Sequence, residues 1–398
     1  MLDLRHQLIE GRADVPRVGS VVELEILPWY TVVAADGAVV APVLSYLRSL
    51  VLDDNRPATA KSYAHDLLRW HRLLWFLDIG WDRATESDAS ALVGWLRVAP
   101  NPQRRRWDLN APRPGSVNLR TGKPYLKAGY APSTINHCLT VVSSFYAYHR
   151  HYNRGPLVNP VPESRAQRRA LAHRAPDGEV PQFRRAQLRQ RVRRSDPRSI
   201  PDGMWDEFFA ALTCDRDRAA VLLYVSSGSR ASELLGVTPG DINWAKQLIW
   251  VVTKGGEDRE PVPASPQALT VLAAYLDHIG LPSADEPILR TRRGPDRPLT
   301  YWAMRRVIQR VNDKLGTNWT LHDLRHTAAN RMANDPNLTL TQVRAILRHT
   351  DLATTGRYLS SRVEDLFDAL QQHYARPRVE RTIAPGYDPD DFRAVFGG

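Results

Sequence analysis

From residue 41 onward the apolar positions recur at helical spacing. APVLSYLRSLVLD carries Val43, Leu44, Leu47, Leu50 and Val51 on one helix face. ATAKSYAHDLLRWHRLLWFLDI continues that period, and ESDASALVGWLRVA follows, its acid-and-serine opening resembling an N-cap signal. A Pro/Arg/Gly-rich loop over 100–132 leads to STINHCLTVVSSFYAYHRHY, read as capped by Ser133 and ending before NPVP at 159–162. These four helices make one unit. Residues 1–40 break the pattern, because SVVELEILPWYTVVAADGAVV sets aromatic and β-branched residues around a D-G turn and reads as a short β piece.

Beyond 199 a second set of elements begins. WDEFFAALTCDRDRAAVLLYVSSGSRASELLGV reads as two helices broken at SSGS, with a third opening at the next serine or arginine. QLIWVVTKGGEDREPVPAS predicts an antiparallel hairpin whose turn is K-G-G. Helical spacing then predicts helices at 266–279, 300–315, 320–333, 339–348 and 351–358. The expected fold class is therefore mainly α with a small antiparallel β-sheet.

Between the two sets, residues 165–198 hold eleven arginines against three acids and few large apolar side chains. Such a stretch cannot bury enough surface for a core and reads as a basic linker or arm. The whole chain of 398 residues shares the bias, with 54 Lys+Arg against 43 Asp+Glu and a formal charge of +11. That balance favours a polyanionic partner such as nucleic acid or an acidic membrane surface. Cys138 and Cys214 lie in no metal-binding spacing, which argues against a disulfide framework or a structural zinc site. No run of 18 apolar residues occurs and MLDLRHQLIEGRADV lacks secretory features, so the expectation is a cytoplasmic chain with no membrane segment.

Taken singly, the candidate chemical residues say little. Arg230 in SSGSRASELLGV reads as a surface arginine paired with Glu233, Lys254 as an ordinary hairpin-tip lysine, and His322 of LHDLRH as a satisfied histidine three residues before Arg325. Their order is more telling: an arginine, a hairpin lysine, H-x-x-R, then His349 of LRHTDLATTGRYL nine residues before Tyr358. In type, order and spacing these residues resemble the tyrosine recombinase, or phage integrase, family, over roughly 41–375.

The resemblance implies a helical core-binding domain at 41–162, a basic linker at 163–198 and a catalytic domain at 199–375, forming a clamp around double-stranded DNA. It leaves a tail at 376–398. It implies strand transfer with Tyr358 as nucleophile, since a phosphotyrosine conserves the energy of the broken backbone bond. Arg230 and Arg325 would clamp the non-bridging oxygens, guanidiniums being bidentate and always charged. Lys254 would protonate the departing 5′ oxygen, His322 would accept or shuttle the tyrosine proton, and His349 would hydrogen-bond the phosphate. No cofactor or metal is implied.

The implied partners are specific attachment sites in DNA, three further copies of the chain, and an accessory directionality factor. Val363, Leu366, Phe367 and Leu370 would form the apolar face of a C-terminal docking helix. The chain would be nucleoid-associated when bound. One departure stands out: Arg348 occupies a position where relatives usually carry glycine, and an arginine there offers a further phosphate contact. Residues 1–40 could serve as an arm-binding module, a packing strand or a protomer contact. Rival readings are a type IB topoisomerase-like nicking-closing enzyme, a non-catalytic DNA-binding protein, and a metal-dependent hydrolase using His322, His326 and His349. The last lacks an accompanying carboxylate arrangement.

Overall fold

The computed structural model describes residues 4–102, 112–162, 186–192, 198–253, 258–348 and 375. The chain divides into two units, Met1–Arg194 and Ser195–Gly398. Among the described residues it is mostly helical, with two small antiparallel sheets.

In the first unit, α1 (Leu4–Ile9) and the hairpin β1 (Ser20–Glu23) and β2 (Tyr30–Val33) precede four helices: α2 (Ala41–Leu52), α3 (Pro57–Phe76), α4 (Glu86–Val98) and α5 (Pro132–His151). The caps differ from expectation by one or two residues. Thr85 caps α4, its N–H and hydroxyl both donating to Asp88 Oδ2, and α5 starts at Pro132 rather than being capped by Ser133. Proline has no N–H to satisfy, so it suits a first turn whose N–H groups lack helical partners.

The hairpin turns elsewhere than the D-G pair. Ser20 pairs with Val33 and Glu23 with Tyr30, and Leu24 N–H donates 2.8 Å to Trp29 O across a loop holding Pro28. Without an N–H, Pro28 cannot extend a ladder, so the chain reverses there. The D-G pair makes the next turn, leading to a bridge between Val33 and Val39.

Residues 4–40 are part of the first unit's core. Leu8, Val15 and Val32 are buried in the cluster that contains Leu67, Leu92 and Phe145. Arg5 Nε lies 2.7 Å from the Asp88 carboxylate, and Trp95 Nε1 donates 2.9 Å to Asp14. A Cβ on Gly94 would come within 2.6 Å of Ile9 Cα, so α1 can approach α4 only over glycine. At the core's centre Trp70 Nε1 donates 3.0 Å to Tyr146 Oη, which donates 2.8 Å to Trp81 O. Of the basic stretch after α5, residues 186–192 lie along that helix: Arg189 donates to Asn136 O and Thr140 Oγ1, and Gln190 exchanges two hydrogen bonds with the Asn136 amide.

One buried group gives this unit an acid response. His71 contacts Leu67 O through Nδ1 at 2.9 Å, and burial pulls its pKa down to about 4, against the pull of that carbonyl. The unfolded chain protonates this imidazole near 6.5, whereas the folded unit refuses the proton until about 4. Stability should therefore be full above 6.5 and should fall as pH drops through this window, by roughly 1.4 kcal/mol per pH unit. Urea midpoints of wild type and His71→Phe between pH 7 and 4 check this; equal slopes would show that His71 is protonated in place.

The second unit contains α6 (Asp202–Ala210), α7 (Asp215–Ser227), α8 (Ala231–Leu234), the strands β3 (Ile242–Asn243), β4 (Leu248–Val252) and β5 (Arg259–Pro263), and then α9 (Pro266–Ile279), α10 (Tyr301–Leu315), α11 (Leu321–Ala333) and α12 (Leu340–Leu347). The first helical break falls at 211–214, with the SSGS turn separating α7 from α8. The sheet order is β3-β4-β5, all antiparallel, with Val252 opposite Arg259 at the base of the expected hairpin turn. Leu223, Ile249, Leu272, Ile308 and Leu324 share one buried cluster. The predicted helix at 351–358 lies outside the described residues. Among the described residues, no helix is long and apolar enough to cross a membrane.

Candidate active site

The SSGSR stretch folds as the end of one helix and the start of the next. Gly228 closes α7 with φ 62°, a left-handed conformation that L-residues adopt at a cost. A Cβ there would also sit 2.6 Å from Leu347 Cδ2. Two residues on, Arg230 is the extended N-cap of α8, and Glu233 reaches back to it. The Arg230 N–H donates 2.8 Å to Glu233 Oε2, and its guanidinium donates 2.9 Å to Oε1. Arg230 is one-third exposed (35%), whereas Glu233 is buried at 1%. Burial alone would push the Glu233 pKa up; the Arg230 N–H and guanidinium, with the charge of Arg348, overrule it and hold the carboxyl below its usual value.

LHDLRH opens α11. Thr320 caps the helix, its N–H donating 2.7 Å to Asp323 Oδ2, and Leu324 is fully buried in the core. His322 lies exposed and Arg325 is 4% exposed, so the face they share runs from the surface into the core. Arg325 donates from Nη1 to Gly228 O at 2.5 Å and from Nη2 to Leu347 O at 2.6 Å. Its guanidinium thereby ties the end of α7 to the end of α12. His326 stands one turn from His322 with ring centroids 4.2 Å apart.

Helix α12 ends at the position where glycine is usual. Arg348 takes φ 53° and ψ 49°, the left-handed cap conformation that explains the preference for glycine and costs another residue roughly 1 kcal/mol. Its side chain turns inward to Glu233, where the sequence had suggested a phosphate contact. Nη2 lies 2.5 Å from Glu233 Oε2 and 3.4 Å from Ser229 Oγ, with the side chain 10% exposed. Nε lies 3.7 Å from Glu260 on β5. Sequence reasoning flagged residue 348 but missed its partners, since 115 residues separate it from Glu233.

The structure thus brings Arg230 and Arg325 to one turn, with His322 at the exposed start of the helix that carries Arg325. Thr253 N–H donates 3.1 Å to Asp258 O across the base of the hairpin, and Arg259 pairs with Asp241 beside it. Lys254, His349 and Tyr358 lie outside the described residues, as do Val363, Leu366, Phe367 and Leu370. Among the described residues, no cluster of three or more His, Cys, Asp or Glu side chains could hold a metal. Elsewhere in this unit, α10 exposes Trp302, with the Arg305 guanidinium 5.4 Å from its ring. Next to them, Arg306 and Arg310 line a cavity of about 650 Å³ with Arg292 and Arg293.

Residues 209–365 match the phage integrase family. A tyrosine recombinase XerC from Pelobacter propionicus is 31% identical over 166 residues, covering 41% of this chain and 54% of that protein. A tyrosine recombinase XerA from Pyrococcus horikoshii is 27% identical over 188 residues, covering 46% and 63%. The chain spans less than two thirds of the length of these curated relatives. In fold it is similar to the Tn1549 transposon integrase in complex with circular intermediate DNA, with a TM-score of 0.54, 15% identity, and 84% of this chain and 99% of that one covered. It is likewise similar to a lambda integrase dimer bound to a COC′ core site, with a TM-score of 0.53, 15% identity, and 81% and 95% covered.

Proposed function

With residues 209–365 forming a tyrosine recombinase (phage integrase) family domain, we propose that the chain is a site-specific DNA recombinase. It cleaves and rejoins strands through a 3′-phosphotyrosine intermediate, integrating or excising a mobile element. The observation that carries this reading is the convergence of Arg230 and Arg325 on the Gly228 turn. There Arg325 is fixed by two carbonyls and Arg230 by one carboxylate. Two guanidiniums so fixed suit the charge that concentrates on the non-bridging oxygens of a phosphodiester during transfer.

In this mechanism the Tyr358 oxygen bonds to phosphorus as the bond from phosphorus to the 5′ oxygen breaks. His322 takes the phenolic proton, Lys254 supplies one to the leaving 5′ oxygen, and His349 hydrogen-bonds the phosphate. Attack by a 5′ hydroxyl from the partner duplex reverses these steps, so the bond energy is conserved. Exchange of two duplexes needs four cuts and hence four protomers, with an accessory factor setting direction. Affinity for the duplex arises from phosphate contacts along the basic surfaces, in the cytoplasm.

A nicked duplex carrying the attachment site of the element tests the reading. The protein should form a covalent adduct on a denaturing gel without added metal, and peptide mapping should place the nucleotide on Tyr358. An adduct on any other tyrosine would overturn the assignment of the nucleophile. Tight binding without any adduct would leave a non-catalytic DNA-binding protein. Relaxation of supercoiled DNA lacking the site would indicate a nicking-closing enzyme.

A further inference from the structure

We propose that Arg348 is a positioning residue for the Arg230 guanidinium, acting through Glu233; the proposal rests on the strand-transfer reading of Arg230. The geometry is a relay across one carboxylate. Glu233 Oε1 accepts Arg230 Nη1 at 2.9 Å, while Oε2 accepts both the Arg230 N–H at 2.8 Å and Arg348 Nη2 at 2.5 Å. Glu233 is 1% exposed and Arg348 10%, so water cannot substitute for either partner.

The charge arithmetic gives the relay its purpose. A buried carboxylate paired with Arg230 alone would cancel the charge that Arg230 is to present to a phosphodiester. Arg348 supplies a second cation to the same carboxylate, so the orienting hydrogen bonds remain and Arg230 keeps its positive field. Among the described residues, Arg348 also faces the Ile346 carbonyl, 3.5 Å from Nη1, the Ser229 hydroxyl, 3.4 Å from Nη2, and Glu260, 3.7 Å from Nε and half exposed. Glu260 belongs to β5.

The backbone adds a second link. Leu347 O, one residue before Arg348, accepts Arg325 Nη2 at 2.6 Å. Residue 348 therefore reaches Arg230 through its side chain, while the carbonyl preceding it holds Arg325. Its left-handed φ of 53° is a conformation that glycine would adopt at less cost. The chain holds an arginine there nonetheless, and the Glu233 pair compensates for that strain.

The experiment measures single-turnover cleavage of the nicked site duplex alongside its dissociation constant, for Arg348→Gly, Arg348→Gln and Arg348→Lys. Cleavage should slow about tenfold in the Gly and Gln variants while affinity stays within about twofold, and Lys should recover most of the rate. In a Glu233→Gln background, Arg348→Gly should change the rate by less than about twofold, because the relay is already cut. Wild-type cleavage by Arg348→Gln overturns the proposal, as does an equal loss in the Glu233→Gln background. Parallel loss of affinity at an unchanged cleavage rate would make Arg348 a DNA contact and overturns it too. Arg348→Gln decides the matter if the glycine variant does not fold. Absence of any wild-type adduct overturns the strand-transfer reading and this proposal together; an adduct with insensitive Arg348 variants overturns this proposal alone.

Discussion

Arg325→Ala should slow cleavage of a nicked site duplex by about 10²–10³, or roughly 3–4 kcal/mol of lost transition-state stabilisation. The figure is that for removing one preorganised donor to developing charge, and Arg325 is well preorganised. It is 4% exposed and held at 2.5 and 2.6 Å by Gly228 O and Leu347 O. Arg325→Lys should recover little, since an ammonium on a flexible stem cannot span both carbonyls in one plane. Single-turnover adduct formation at saturating protein checks the rate, and a loss below tenfold would remove Arg325 from the clamp. The alanine variant should also unfold at lower temperature, because the ends of α7 and α12 lose their shared donor. Measuring the rate below the melting temperature of each variant therefore separates chemistry from folding.

The second large effect concerns stability. Glu233→Ala should cost about 3 kcal/mol, because it leaves the Arg348 guanidinium buried without its carboxylate. Arg230, one-third exposed, can hydrate instead and adds little to that loss. For a unit of this size the cost corresponds to a fall in Tm of about 6–12 °C, readable by circular dichroism. Arg348→Gly in the same background should restore part of the loss by removing the stranded charge and relaxing the left-handed cap. A Tm for Glu233→Ala within about 2 °C of wild type would show that water enters the pair.

Local rules explain why so much was visible in advance. Val43, Leu47 and Val51 define a helix face whatever lies around them, and all three are buried in α2. Arg230 and Glu233 are three residues apart, so their pairing could be read from a single helix start. The D-G turn stands where it was read, at the Val33–Val39 bridge, whereas the β1–β2 reversal was missed because Pro28, with no N–H, decides where that ladder ends. The Ser133 cap failed because the chain enters the helix one residue earlier through Pro132. Residues 4–40 could not be placed from pattern, since their packing depends on Gly94 and Asp88 in a helix that lies far along the chain.

The sequence by itself determined most of the described helices, the β4–β5 pairing, the basic balance and the order of the candidate catalytic residues. All of these depend on composition or on neighbours within a few positions. Tertiary structure alone decided that Arg325 anchors on Gly228, 97 residues away, and that Arg348 turns inward to Glu233. A guanidinium takes whichever oxygen the fold brings within 3 Å of it, and separation along the chain does not encode that choice.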